Sequence, residues 1–180
     1  ATLDPRKNID VNLRALAELG AASDWRYEVI GDGPEETRLK SLSRELGLQD
    51  RVVFAGRLPW PRVLQRLRES DVFLMVSRDT FGIAYLEAMA SGCLVVGALD
   101  FGASGIIAAG RNGFLCPLGS QRAITKVLAE IAGRLSTAEA SRLVANSLAT
   151  VADYTIEKAA MNYLRHILAV AAGGNPGTCN

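Results

Sequence analysis

Apolar positions along this chain fall into two alternating patterns. Short unbroken runs, of which Val72-Phe73-Leu74-Met75-Val76 is the clearest, are separated by longer stretches where apolar residues return every three or four positions. The first pattern predicts buried strands and the second amphipathic helices. Strands are expected at Trp25 to Ile30, Arg51 to Ala55, Val72 to Val76, Leu94 to Gly97 and Gly113 to Cys116. Between them, Asn8 is placed to cap a helix carrying Ile9, Leu13, Leu16 and Gly20 on one side. Pro34 suits the first position of a second helix, which Gly47 and Leu48 end in a Schellman arrangement. Helical spacing recurs at Val63, Leu64 and Leu67, from Ile83 to Ala90, and at Ile124, Val127, Leu128 and Ile131. Ser136 with Glu139 forms a capping-box pattern for a further helix, and Thr155 is placed to cap the last. Strands alternating with helices at this spacing predict an α/β fold, a Rossmann-like parallel sheet with helices on both faces.

The stretch from Ser77 to Gly97 is unusual within that pattern. Between Asp79 and Asp100 Glu87 is the one charge, and it sits in a helix that is apolar nearly all round. An unpartnered buried carboxylate costs several kcal/mol, so Glu87 either reaches solvent or meets fixed donors. Asp79 lies eight residues earlier, at the mouth of the same helix, with Phe81-Gly82 between the two acids. Free N–H groups at a helix N-terminus suit an anion, acids suit hydroxyls, and Gly82 allows a close backbone approach. The same residues also make an ordinary strand–loop–helix unit with Glu87 on a wet face.

Ligands of parallel sheets bind beyond the carboxyl ends of the strands. Gly31, Arg57 and Asp79 each follow a predicted strand, and Lys7 does so too if a strand precedes it. Arg6 and Lys7 stand before the first helix, where the helix dipole disfavours cations by about 0.3–1 kcal/mol. Either both side chains extend into water, or an anion reverses the penalty and Lys7 clamps it. Gly31-Asp32-Gly33-Pro34 is followed by Glu35 and Glu36, so that helix start supplies its own negative charge. Its glycines are expected to form a tight turn with room for a ligand nearby. A dinucleotide fingerprint is absent, because Glu36 stands where a third glycine is needed.

Composition narrows the classes. At 180 residues the chain suits one domain, and 20 basic against 19 acidic residues give a net charge of +1. Nucleic acid is therefore not an expected partner. Cys93, Cys116 and Cys179 lack paired spacing, which argues against disulfides or zinc and for a reducing compartment. There is no signal peptide and no run long enough to span a bilayer, and the start at Ala1-Thr2-Leu3 has the look of a piece of a longer protein. His166, the one histidine, falls near the end of the last predicted helix, where a surface role is expected.

Taken in order, Lys7, Gly31-Asp32-Gly33-Pro34, Phe54-Ala55-Gly56, Ser70-Asp71-Val72, Asp79 to Glu87 running into Ala88-Met89-Ala90-Ser91-Gly92, and Gly110, Asn112 and Gly113-Phe114-Leu115 resemble the C-terminal donor-binding domain of a family-4 retaining glycosyltransferase of the GT-B type. The resemblance runs from Leu3 to about Leu168. It implies a nucleotide-sugar-binding domain over residues 1–172, one GT-B half, with a flexible tail at 173–180. It also implies that Glu87 accepts from ribose hydroxyls and Asp79 from the donor sugar. Phe81, Gly82 and Ile83 would offer backbone N–H groups, and Lys7 would neutralise the diphosphate, with Gly31, Gly33 and Arg57 also at the donor. Asp79 and Lys7 would be the catalytic pair. No Asp-x-Asp occurs, which fits a fold that uses protein cations in place of a bound metal. The resemblance implies no cofactor and an NDP-sugar as substrate, with UDP and GDP among the candidate nucleotides. The partner implied is a missing N-terminal acceptor domain. The location implied is cytoplasmic, with peripheral membrane contact through that domain as an option. An NDP-sugar epimerase half and a non-catalytic nucleotide-sugar-binding module remain as alternatives. Three positions depart from the family pattern: Asp79 replaces a Glu, Ala1-Thr2 replaces a Gly-Arg, and Gly105 replaces an acid.

Overall fold

A computed structural model describes residues 2–20, 24–80, 82–134 and 136–154. The expected element order is present: α1 Ile9–Leu19, β1 Tyr27–Ile30, α2 Glu36–Glu45, β2 Val52–Gly56, α3 Trp60–Arg68, β3 Val72–Met75, α4 Ile83–Ala90, β4 Leu94–Ala98, β5 Phe114–Cys116, α5 Gln121–Arg134 and α6 Ala138–Val151. All strand pairs are parallel. They form two sheets where the sequence predicted one: β1 with β2, and β3-β4-β5.

The packing explains why β4 reads as unbroken apolar sequence. Leu94, Val96 and Ala98 face a core shared with α1, α5 and α6, while Val95 faces a second core built on α3 and α4. Two-residue alternation on a strand covered on both faces leaves every position buried. A third core joins Leu13 of α1 to Val29, Leu39 and Val52, so α1 packs under both sheets.

Several local expectations shift. β1 begins at Tyr27 and not Trp25, whose indole instead donates to the Gly20 carbonyl at 2.9 Å. Pro34 lies in the turn ahead of α2, whose cap is Glu35. The Schellman end is present: Leu48 N donates to Ser43 O and Gly47 N to Arg44 O, both at 2.9 Å, with Gly47 at φ 70°. Thr137, not Ser136, caps α6 and accepts from Ala140 N. The expectations for Phe81, Thr155, His166, Cys179 and the 173–180 tail fall outside the described residues. Cys93 and Cys116 are buried free thiols, and no described helix is long and apolar enough to cross a membrane.

Tyr85 locks α4 to β3. Its hydroxyl donates to the Met75 carbonyl, and its ring meets Phe73 edge-on at 5.7 Å. Burial pushes the phenol up from 10.0 to about 12. Below pH 10 it is neutral in both folded and unfolded chains. Between there and about 12 the unfolded chain releases the proton first, so this contribution falls as pH rises through that window. Denaturant unfolding of wild type and Tyr85→Phe should therefore give a stability gap that narrows from about pH 9 to about pH 11. An unchanged gap would contradict it.

Candidate functional site

The segment before α1 carries Lys7 to the strand ends. Asp4 caps a 3-10 turn at Pro5–Lys7 and accepts from Arg6 N at 2.9 Å. Its carboxylate also takes the Arg6 guanidinium at 2.7 Å, a hydrogen bond that holds the Asp4 carboxyl below its ordinary range. Arg6 is thus spent on its own turn. Lys7 turns the other way, and its Nζ donates to both Asp79 oxygens at 2.6 and 2.8 Å. The Arg6 side chain stays in water, 71% exposed, whereas that of Lys7 is only 15% exposed. Asn8 occupies the predicted cap position at φ 49° without a side-chain capping bond. Its amide instead donates to Val76 O at 3.2 Å, tying the turn to the end of β3.

Asp79 is therefore anchored twice, since the buried Ser77 hydroxyl also donates to it. A carboxylate has about four acceptor sites and an ammonium three donors, so Asp79 and Lys7 each keep capacity for a ligand. Glu87 meets the indole N–H of Trp60 at 2.9 Å and is half-buried. That resolves the sequence ambiguity: Glu87 is both wet and partnered. Trp60 is 61% exposed and sits between Pro59 and Pro61, at the start of α3.

Lys7, Asp79, Thr80, Gly82, Ile83 and Glu87 all line one cavity of about 1300 Å³. Gly31 and Arg57 line a smaller neighbour of about 290 Å³ with Asp32 and Leu58. Gly33 lines neither. A Cβ there would lie 2.5 Å from the Leu3 carbonyl oxygen, so backbone packs on that glycine and the room beside the turn lies at Gly31 and Asp32. Gly82 likewise owes its place to the protein. It caps α4 at φ 63°, and a Cβ would lie 2.9 Å from the Tyr85 ring. Among the described residues no group of three or more His, Cys, Asp or Glu is placed to hold a metal ion.

Three contributors escaped the sequence: Trp60, Ser77 and Gly102. Gly102 N donates to Asp79 O at 2.8 Å, and a Cβ on it would lie 2.6 Å from Thr80 O. Trp60 alone carried a signal, an aromatic residue held between two prolines in a loop next to a strand end. Ser77 and Gly102 are recognisable only through what they touch.

Residues 1–139 match the profile of the family described as Glycosyl transferases group 1. The chain belongs to that family. A Salmonella typhimurium relative assigned to colanic acid biosynthesis as a glycosyltransferase is 30% identical over 171 residues, covering 91% of this chain and 40% of its own length. The N-acetyl-alpha-D-glucosaminyl L-malate synthase of Bacillus anthracis is 33% identical over 114 residues, 63% of this chain and 29% of that protein. The chain thus spans less than half the length of these relatives. Among solved structures, Anabaena HepE in complex with UDP and glucose superimposes with a TM-score of 0.80 at 22% identity, over 94% of this chain and 47% of HepE. The C-terminal domain of the group 1 family protein LpcC from Francisella tularensis gives 0.77 at 22% identity, over 85% of this chain and 82% of that domain. The fold is that of a GT-B glycosyltransferase domain.

Proposed function

We propose that this chain is the donor-binding half of a family-4 retaining glycosyltransferase, which moves a sugar from an NDP-sugar to an acceptor held by another domain. The observation that carries the reading is the convergence of Lys7, Asp79, Gly82 and Glu87 on the part of one cavity nearest the carboxyl end of β3. These residues come from the α1 approach, the β3–α4 loop and α4, and an α/β sheet places ligands at such a junction. The UDP and glucose in the Anabaena relative favour a UDP-sugar, with GDP-sugars as the comparison class.

In this reading Glu87, oriented by Trp60, accepts from the ribose hydroxyls. Lys7 gives its remaining N–H to the diphosphate, and Asp79 takes a hydroxyl of the sugar being transferred. Charge builds on the leaving diphosphate as the glycosidic bond breaks, and fixed cations facing that charge lower the barrier. Lys7 supplies the nearest one, with Arg57 at the adjoining cavity as the second. The sugar contact differs from that of a longer Glu, because Asp79 is held back by Ser77 and Lys7.

A thermal-shift panel of UDP-, GDP- and ADP-sugars tests the donor class, and a chain stabilised by none of them is not a donor domain. Nucleoside diphosphate binding should survive chelation, since lysine and backbone N–H groups hold the phosphates. Calorimetry with and without EDTA reads this, and a loss beyond about tenfold, roughly 1.4 kcal/mol, would reveal a metal requirement. The isolated chain should bind donor without transferring sugar, because in this reading another domain holds the acceptor. Transfer by the purified 180-residue chain would overturn that division of labour.

A further inference from the structure

Among the described residues, Trp60 is the most exposed aromatic side chain, yet it is held in place from two directions. Pro59 and Pro61 flank it, and a proline on either side leaves its backbone little freedom. Its indole N–H is fixed on a Glu87 oxygen at 2.9 Å. The apolar residues further along α3 behave as core: Val63, Leu64 and Leu67 pack with Tyr85, Ala88 and Met89 of α4. Trp60 belongs to none of the three cores. An exposed apolar side chain is ordinary in itself. A rigid ring tied by its edge to the carboxylate of the site is different, because a preformed surface binds with little loss of entropy.

The start of α3 also lies beside the site. Val63, one turn after Trp60, lines both the 1300 Å³ cavity and its 290 Å³ neighbour, and Leu58 lines the smaller one. Residues three apart share a helix face, so the first turn of α3 stands where the two cavities meet. The inference rests on the donor reading, in which the second Glu87 oxygen accepts from a ribose hydroxyl. A nucleobase is bonded to the ribose carbon next to the one that carries the 2′-hydroxyl. A ribose on one Glu87 oxygen and an indole on the other therefore bring base and ring together.

We propose that Trp60 is a donor-binding residue that stacks its exposed ring on the nucleobase while its N–H holds Glu87 for the ribose. Indole has no hydrogen-bonding group beyond the N–H already given to Glu87, so Trp60 recognises the face of the base and not its edge. Every base has such a face. The contact serves uracil and guanine alike, and the choice between them is made elsewhere. What Trp60 selects is a planar aromatic base, against ligands that carry the ribose diphosphate without one.

The test compares UDP with 5,6-dihydrouridine diphosphate by calorimetry on the 180-residue chain. The reduced base keeps the hydrogen-bonding edge, the ribose and the diphosphate, but it is puckered and no longer aromatic. Wild type should bind UDP at least about fivefold more tightly, the lower end of what one stacked base contributes. Trp60→Phe keeps a ring and should retain most of that preference, although Glu87 loses its partner. Trp60→Gln keeps an N–H donor without a ring and should bind the two ligands alike. Circular dichroism checks that both variants fold, as replacement of an exposed side chain allows. A wild type that does not distinguish the ligands would overturn the proposal. So would Trp60→Gln with the wild-type ratio of affinities, the result expected if Trp60 only orients Glu87 or meets another domain. A chain that binds neither UDP nor GDP fails the donor reading itself, and this inference with it. A chain that binds only GDP is read in the same way against ribose 5-diphosphate.

Discussion

Replacing Glu87 by alanine should weaken a nucleoside diphosphate and its sugar conjugate by the same factor. One Glu87 oxygen is held by the Trp60 indole at 2.9 Å, which leaves the other free to accept from a ribose. Ribose is common to both ligands, so both lose the same contact. Leaving a hydrogen-bonding partner unsatisfied costs about 1–3 kcal/mol, or roughly 5- to 150-fold in affinity. Trp60 is exposed, so its N–H can turn to water and the fold should hold. Asp79→Ala should behave differently. It removes the sugar contact and releases Lys7 from its 2.6 Å ion pair. The bare diphosphate should then bind about as well as before, while the extra affinity for the sugar conjugate disappears. Calorimetry of both variants against both ligands, with folding checked by circular dichroism, reads the four cells. If Asp79→Ala weakens both ligands equally, or Glu87→Ala weakens neither, the assignment of ribose and sugar to the two acids fails.

Gly102→Ala should cripple the site from behind. A Cβ at this position would stand 2.6 Å from Thr80 O and 2.7 Å from Asp79 O, closer than real Cβ atoms come to backbone. The obstructing atoms are main chain, so no rotamer change relieves the clash and the Asp79–Thr80 loop itself must move. Overpacking of this kind costs about 1–3 kcal/mol. For a domain of this size that is a fall in Tm of roughly 2–12 °C. Donor affinity should drop about tenfold or more, because a site misplaced by an ångström loses its alignment. Gly105→Ala is the matched control. Nothing lies within 4 Å of a Cβ there, so it should sit within about 0.5 kcal/mol of wild type. Differential scanning calorimetry and donor titration of both variants check this, and indistinguishable variants would sink it.

Much of the architecture was legible before any coordinates. The bounds of α4 at Ile83–Ala90 coincide with the sequence reading, and the Schellman end at Gly47 and Leu48 is where the residues placed it. Strand edges moved by no more than two residues. These features are set within a few residues of themselves, by apolar period and by the one conformation that glycine adopts cheaply. The chain positions of Lys7, Asp79, Gly82 and Glu87 were legible as well, together with the loop and helix that carry three of them.

What each of those residues touches was not. Lys7 meets Asp79 across 72 positions and Trp60 meets Glu87 across 27, and no local pattern encodes such pairs. Gly33 and Gly102 read alike in sequence, as loop glycines. Packing alone decides that one is pressed on Leu3 and the other on the Asp79 loop. Pairing was not legible either: among the described residues β3 pairs with β4 alone and β1 with β2, because an apolar run specifies burial without specifying the neighbour that provides it. Local sequence thus determined which elements form and which carry charge at the strand ends. The fold alone determined which charges pair and which glycines yield to backbone, since those depend on distances between parts of the chain that have no short-range signature.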